Sequence, residues 1–203
     1  MQSLEPDDFG CLPPEPLLCP VTEVSDLAIE NGANLAIYIS KLAYDWDGEY
    51  RFTPNLICQC NQIAMRGIYA SAGTFRERIV IVDDFVPPKA ALVPSLISDM
   101  CTYANSRHDD PFHSAAYLLW RVNYIHPFVD GNGRIARELA YLAVLATSRD
   151  NWPVALPAMI DRERDRYYKG LRRADKVWDE TFPPDVAQLQ SMICEMFFDA
   201  MST

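Results

Sequence analysis

Beyond residue 20, apolar residues recur at the three- and four-residue spacing of buried helix faces along most of the chain. Val24, Leu27 and Ala28 mark a short helix that Asn31-Gly32 is expected to end, because both residue types tolerate the left-handed conformation of a helix C-terminus. A second helix follows over residues 33–44, and Pro54 opens a third in which Leu56, Ile57, Cys60, Ile63 and Ala64 share one face. Further helices are predicted at 90–106, 112–124, 132–148, 159–174 and 184–201. Ala115, Leu118, Leu119 and Val122 form an apolar stripe on one of these, and Ile135, Leu139, Leu142 and Ala146 form another on the next. These two helices are therefore the expected central pair of an all-α bundle. The one β signal is the run Ile79, Val80, Ile81, Val82, followed by Asp83-Asp84, Phe85-Val86 and the stop Pro87-Pro88, which predicts a hairpin outside the core.

The ends of the chain read differently. Residues 1–20 carry Pro6, Pro13, Pro14, Pro16 and Pro20, a density that excludes a helix or a central strand and predicts an irregular arm. The expected organisation is this proline-rich arm, N-terminal helices over 21–55, a core domain over 56–174 and a C-terminal helix over 175–203.

Composition narrows the function classes. The 203 residues hold 49% apolar side chains, enough for a real core, and a net charge of −10 argues against a nucleic-acid-binding domain. No export signal opens the chain and no apolar run reaches the ~20 residues of a membrane span, so a cytoplasmic protein without a membrane partner is expected. Six scattered cysteines do not require disulfides, and Cys58 with Cys60 makes a poor zinc site.

Between the two most apolar helices runs His126-Pro127-Phe128-Val129-Asp130-Gly131-Asn132-Gly133-Arg134-Ile135-Ala136-Arg137. Pro127 disfavours helix at His126, so the incoming helix should stop there. Gly131 and Gly133 let successive amides face one point, and the next helix adds its own free N–H groups and positive dipole end, an anion cradle. Arg134 and Arg137 sit at the wrong end of that dipole unless something negative compensates, and two planar forks suit a polyphosphate. Asp130 would repel such a ligand unless Mg²⁺ intervened. His126 is the nearby group able to take a proton at neutral pH.

The whole stretch resembles the signature of the Fic family of AMP-transferring enzymes: His-Pro-Phe, any residue, Asp or Glu, Gly-Asn-Gly-Arg, two residues, Arg. Every fixed position is met. Ala72-Gly73-Thr74-Phe75-Arg76, the run 79–82 and Pro87-Pro88 look like the family's flap, while Tyr168 and Leu171 resemble a Tyr and Leu on the helix after the core. The resemblance implies a Fic-type helical bundle with a small β-hairpin flap, and a protein adenylyltransferase moving AMP from ATP to a Ser, Thr or Tyr hydroxyl with release of pyrophosphate. It implies His126 as base, Asp130 as Mg²⁺ ligand, and Gly131, Asn132, Gly133, Arg134 and Arg137 as nucleotide-binding residues. Phe128 would anchor the loop, and the target protein would dock on the flap as an extended segment. Gly133, where the related Doc kinases carry Lys, favours nucleotidyl over phosphate transfer. Removal of AMP, another phosphate-containing donor and a non-catalytic nucleotide-binding module are the alternatives, and the pattern allows a homodimer.

Family members often restrain themselves with Ser or Thr, three residues, Glu, then Gly or Asn. Asp26 to Asn31 resembles this with Asp26 in the hydroxyl position, which makes Glu30 the expected inhibitory partner of Arg137; Ser191 to Met196 offers Glu195 as the second candidate.

Overall fold

In the computed structural model, which describes residues 15–46, 49–82, 84–147, 156–178 and 184–201, the apolar stripes fold into eight α-helices. In chain order these are α1 (Val24–Trp46), α2 (Pro54–Ala64), α3 (Val93–Asn105), α4 (Pro111–Ile125), α5 (Asn132–Leu145), α6 (Leu156–Arg162), α7 (Arg164–Val177) and α8 (Ala187–Met201). Short 3-10 turns, Val21–Glu23 and Ala90–Leu92, lead into α1 and α3.

Local chemistry explains two of the starts. Thr53 accepts a hydrogen bond from the Leu56 N–H and Pro54 occupies the first turn of α2; Asp110 accepts from the His113 N–H and Pro111 opens α4. α4 and α5 form the most extensive helix–helix contact, with α1, α2 and α6 against α5, and α3, α7 and α8 against α4. Along the shared seam Leu118, Leu119, Val122, Ile135, Leu139 and Leu142 are fully buried.

Three expectations need correction. Asn31-Gly32 does not end a helix: α1 runs straight through both residues. Asn31 is buried and its Nδ2 donates to the Arg66 carbonyl at 2.8 Å, so a tertiary bond uses the side chain that would otherwise cap a helix end. Leu35 and Ile39, both fully buried, continue the packing that offsets the ~1 kcal/mol cost of a helical glycine. The helix expected over 159–174 is two helices, α6 and α7, separated at Glu163.

The third correction concerns the hairpin. Among the described residues there is no strand ladder, only an isolated bridge in which Val82 and Phe85 exchange both backbone hydrogen bonds at 2.9 Å. The second limb is too short for more, because Pro87 and Pro88 bring no N–H to a further pair. The described part of the proline-rich arm runs along the segment after α2, with Leu17 bridged to Tyr69, the Leu18 N–H donating to the Ile68 carbonyl, and the Glu15 carboxylate accepting from both the N–H and the hydroxyl of Ser71.

Candidate active site

α4 ends at Ile125, and His126 caps it in a left-handed conformation (φ 49°). A non-glycine residue keeps such a backbone only where its surroundings hold it. The ring is largely buried, and burial holds its pKa below the ordinary histidine value. A hydrogen bond with the Asn123 backbone and the Asp130 charge work the other way, while the Arg76 cation reinforces the depression. With one ring nitrogen directed at that backbone, the other is left to accept a proton.

After His126 the loop is bolted down by amide side chains. Asn132 accepts from the Phe128 N–H and donates to the Phe128 carbonyl, both at 2.9 Å. Phe128 itself is 1% exposed and packs on Phe75 at 5.4 Å between ring centroids. From α2, Asn61 donates to the Asp130 carbonyl and accepts from the Gly73 N–H, each at 2.9 Å. Gly131 turns the chain into α5 at φ 83°, where an added Cβ would lie 2.8 Å from the Met65 Sδ and 3.0 Å from the Asn61 Nδ2, so only glycine fits.

Intrahelical bonding in α5 begins with the Ile135 N–H donating to the Gly131 carbonyl at 3.0 Å, which leaves the amides of Asn132, Gly133 and Arg134 at the open helix end. Asp130 is exposed, and its Oδ1 accepts from the Gly131 N–H at 2.6 Å. The cradle thus differs in detail from the sequence expectation. The Gly131 amide is already engaged, the Asn132 side chain belongs to the loop's own framework, and Gly133 lies inside the first helical turn rather than in a left-handed turn. A Cβ on Gly133 would stand 3.5 Å from the Arg137 Nη1, so its absence keeps the approach to that guanidinium open.

The two motif arginines are not equivalent. Arg134 Nη1 donates to the Ala64 carbonyl at the end of α2 at 2.8 Å and lies 3.9 Å from the Met65 Sδ. Arg137 is held more loosely: its Nε is 3.7 Å from the Asp161 Oδ1, and Tyr167 stands beside it. The partner expected for Arg137 was Glu30 or Glu195. Glu30 instead lies on the exposed face of α1, and Glu195 Oε2 receives the Arg166 Nη2 at 2.6 Å. The physical reason is the correction to α1: Glu30 is not at a helix C-terminus where the dipole would push it toward a cation.

Several residues that shape the site give no local sign of what they bond. Arg76 is 3% exposed and bonds backbone carbonyls on both the His126 loop and the flap. Tyr167, buried on α7, accepts from the Asn123 Nδ2 at 2.9 Å and so joins α7 to the last turn of α4. Glu138, one residue after Arg137, is buried with an unpartnered Oε2, and burial pushes its carboxyl up to about 7 against the pull of Arg137 and Arg134. Tyr168 is 42% exposed whereas Leu171 packs into the core.

A helical bundle in which a His-Pro-Phe turn feeds the open N-terminus of a central helix defines the class. The Fic family profile, described as the Fic/DOC family, matches residues 51–144. A Fido domain-containing protein of Dictyostelium discoideum is 32% identical over 124 residues, which is 57% of this chain and 80% of that protein. The chain belongs to the Fic/DOC family. A Drosophila persimilis protein named protein adenylyltransferase Fic is 33% identical over 107 residues, 51% of this chain but only 20% of that protein. The chain thus matches about a fifth of that relative's length and its like among the flies. A Fic domain containing signaling protein from Bacteroides thetaiotaomicron shares the fold with a TM-score of 0.70 at 20% identity, covering 86% of this chain and 69% of that one. Fic-1 (residues 134–508) from Caenorhabditis elegans gives 0.63 at 20% identity, covering 84% and 49%. No helix among the described residues is long and apolar enough to cross a membrane.

Proposed function

We propose that this protein moves AMP from ATP to a hydroxyl of a target protein. The observation that carries the reading is a single loop that holds a histidine whose ring bonds the Asn123 backbone, an exposed carboxylate and the open N-terminus of α5. Drosophila relatives named protein adenylyltransferase support the same chemistry.

The acceptor hydroxyl gives its proton to His126 as its oxygen forms the new bond to the α-phosphorus. The bond from that phosphorus to the bridging oxygen breaks, and pyrophosphate leaves in line. The amides of Asn132, Gly133 and Arg134 and the α5 dipole face the phosphate oxygens where negative charge grows, which is where fixed donors contribute most. Burial and the Arg76 charge keep the imidazole unprotonated at neutral pH, the state from which a base starts. Arg137 engages the terminal phosphate by exchanging its weak contact with Asp161 for a bidentate one.

Among the described residues no three side chains converge as metal ligands, and Asp130 offers one carboxylate with an oxygen left over. That donor set fits Mg²⁺ held by a single carboxylate and by substrate phosphates, where the ion would neutralise phosphate charge. The target is read as an extended segment laid along residues 79–82, where Ile79 and Ile81 are 48% and 60% exposed while Val80 and Val82 are half-buried. That alternation is the pattern of extended backbone with one face open to solvent, along whose edge a target segment would add. Cys19, Cys58, Cys60, Cys101 and Cys194 are unpaired, in keeping with a cytoplasmic setting.

The test is incubation with a cell lysate and ATP labelled at either the α- or the γ-phosphate. Protein-bound label from the α-position alone is expected, and its loss in His126→Ala. Label from the γ-position would make the enzyme a kinase. Release of AMP from a modified target, without incorporation, would make removal the activity.

A further inference from the structure

On the proposed reading the flap receives the target and His126 does the chemistry. In this fold one guanidinium joins them. Arg76 Nε donates to the His126 carbonyl at 2.7 Å and Nη2 to the Ile125 carbonyl at 3.2 Å. Nη1 donates to the Arg78 carbonyl at 2.8 Å, and Nη2 also reaches the Pro88 carbonyl at 2.6 Å. The Arg76 N–H adds a bond to the Pro127 carbonyl at 2.9 Å. Every nitrogen of the fork is therefore spent on backbone, and none points to solvent, since the residue is 3% exposed.

Two consequences follow from where those carbonyls lie. His126 and Ile125 flank the left-handed turn that aims the imidazole, so the fork holds the one non-glycine residue with positive φ among the described residues. Arg78 and Pro88 stand on opposite limbs of the flap, below the single Val82–Phe85 bridge. A regular hairpin would close its base with a further pair of backbone bonds, which Pro87 and Pro88 cannot donate. The guanidinium takes the place of that missing rung.

We propose that Arg76 is a positioning residue that fixes the His126 backbone and closes the base of the flap with the same fork, so that base and docking edge keep one fixed separation. Its role in docking rests on the adenylyl-transfer reading; its role in shaping the loop does not. A lysine could keep the charge but not the fork, because a single ammonium cannot reach carbonyls on both sides.

The charged groups acting on the His126 ring are Arg76 and Asp130, beside burial and the Asn123 carbonyl. The protein has three histidines, so each can be followed by NMR, with His126→Ala assigning the signal of interest. Burial is the larger cause of the depression, so Arg76→Gln is expected to raise the His126 titration only in part, whereas Arg76→Lys leaves it near its original position. Both variants are expected to lose hydrogen-exchange protection at the Val82 and Phe85 amides. Both are also expected to reduce transfer on the order of 10²-fold, the effect of about 1 Å of misplacement, with ATP affinity unchanged.

Unchanged exchange at Val82 and Phe85 in both variants would overturn the proposal. So would a His126 titration that ignores Arg76→Gln, or unfolding of both variants, which would reduce the residue to a purely structural one. If the exchange and titration changes occur while the parent protein transfers no AMP, the positioning role stands and the adenylyl-transfer reading fails.

Discussion

The loop from His126 to Arg134 and the flap from Glu77 to Pro88 lie side by side, yet they are built on opposite terms. The loop is over-determined: Asn132 staples Phe128 from within, Asn61 ties Asp130 to the segment before the flap, and Phe128 is sealed in the core. Among its described residues the flap has one backbone bridge, a ring contact of 5.5 Å between Phe85 and Tyr124, and Ile79, Ile81 and Val86 turned to solvent. Chemistry demands a fixed geometry, since preorganised donors work only if they need not move. On the proposed reading of the flap as a docking edge, an element that recognises main chain must instead leave its own hydrogen-bonding groups unsatisfied until a partner arrives. Arg76 reconciles the two by anchoring the loose element to the rigid one.

The comparison can be broken most severely at His126. His126→Ala should reduce transfer by ~10² to 10⁴ while ATP affinity, measured calorimetrically, stays close to the parent value. Equal loss of both would mean that the residue shapes the loop more than it serves as base.

Asn132→Ala tests the rigidity itself. It strands the buried N–H and carbonyl of Phe128, and at ~1–3 kcal/mol for each unsatisfied group a loss of about 3 kcal/mol in unfolding free energy is expected by urea titration.

Glu138 shows what that rigidity costs. Its carboxyl titrates near 7 in the folded protein against an ordinary 4.5, so the folded state holds the proton more tightly than the unfolded chain. Stability contributed by the protonated form is therefore lost as pH rises from about 4.5 through about 7, and is constant above. Glu138→Gln should flatten that decline and stabilise the protein at pH 8 by at most about 3 kcal/mol. Thermal unfolding across the pH range measures it, and a parallel decline in both proteins would remove Glu138 as the cause.

On the flap side, Val82→Pro removes the N–H that donates to the Phe85 carbonyl. One exposed hydrogen bond is worth ~1 kcal/mol, so global stability should change little, while modification of a protein target falls roughly tenfold and ATP binding does not. A large loss of stability would show the flap to be part of the core.

The smallest effect concerns the clamp. Asp161→Asn should free Arg137 and tighten ATP binding roughly two- to fivefold, the range of an exposed ion pair, whereas Glu30→Gly should leave it unchanged. An increase with Glu30→Gly alone would return the restraint to α1.

The motif loop was legible because its determinants are local. Pro127 after His126 stops α4, Gly131 supplies the turn, and the stripes on α4 and α5 set which sides meet. α1 was misread for the opposite reason: its local residues, Asn31-Gly32, argued for an end, and a bond to a carbonyl 35 residues away overruled them. The hairpin was over-read because β-branched residues report a preference for extended backbone, while the number of rungs depends on what the other limb can donate.

The sequence by itself determined the bundle, its central pair and the membership of the motif residues in one loop, since helical periodicity, proline and glycine act within about four residues of chain. Tertiary structure alone decided how those residues divide their labour. Arg134 is tethered to Ala64, 70 residues away; Arg137 faces Asp161 rather than Glu30; and Arg76, whose place in the sequence says nothing of its partners, bonds the His126 and Pro88 carbonyls together. Partners of long polar side chains are set by which backbone carbonyls and charges folding brings near. Buried donors must find an acceptor wherever the fold supplies one, and no spacing along the chain records where that will be.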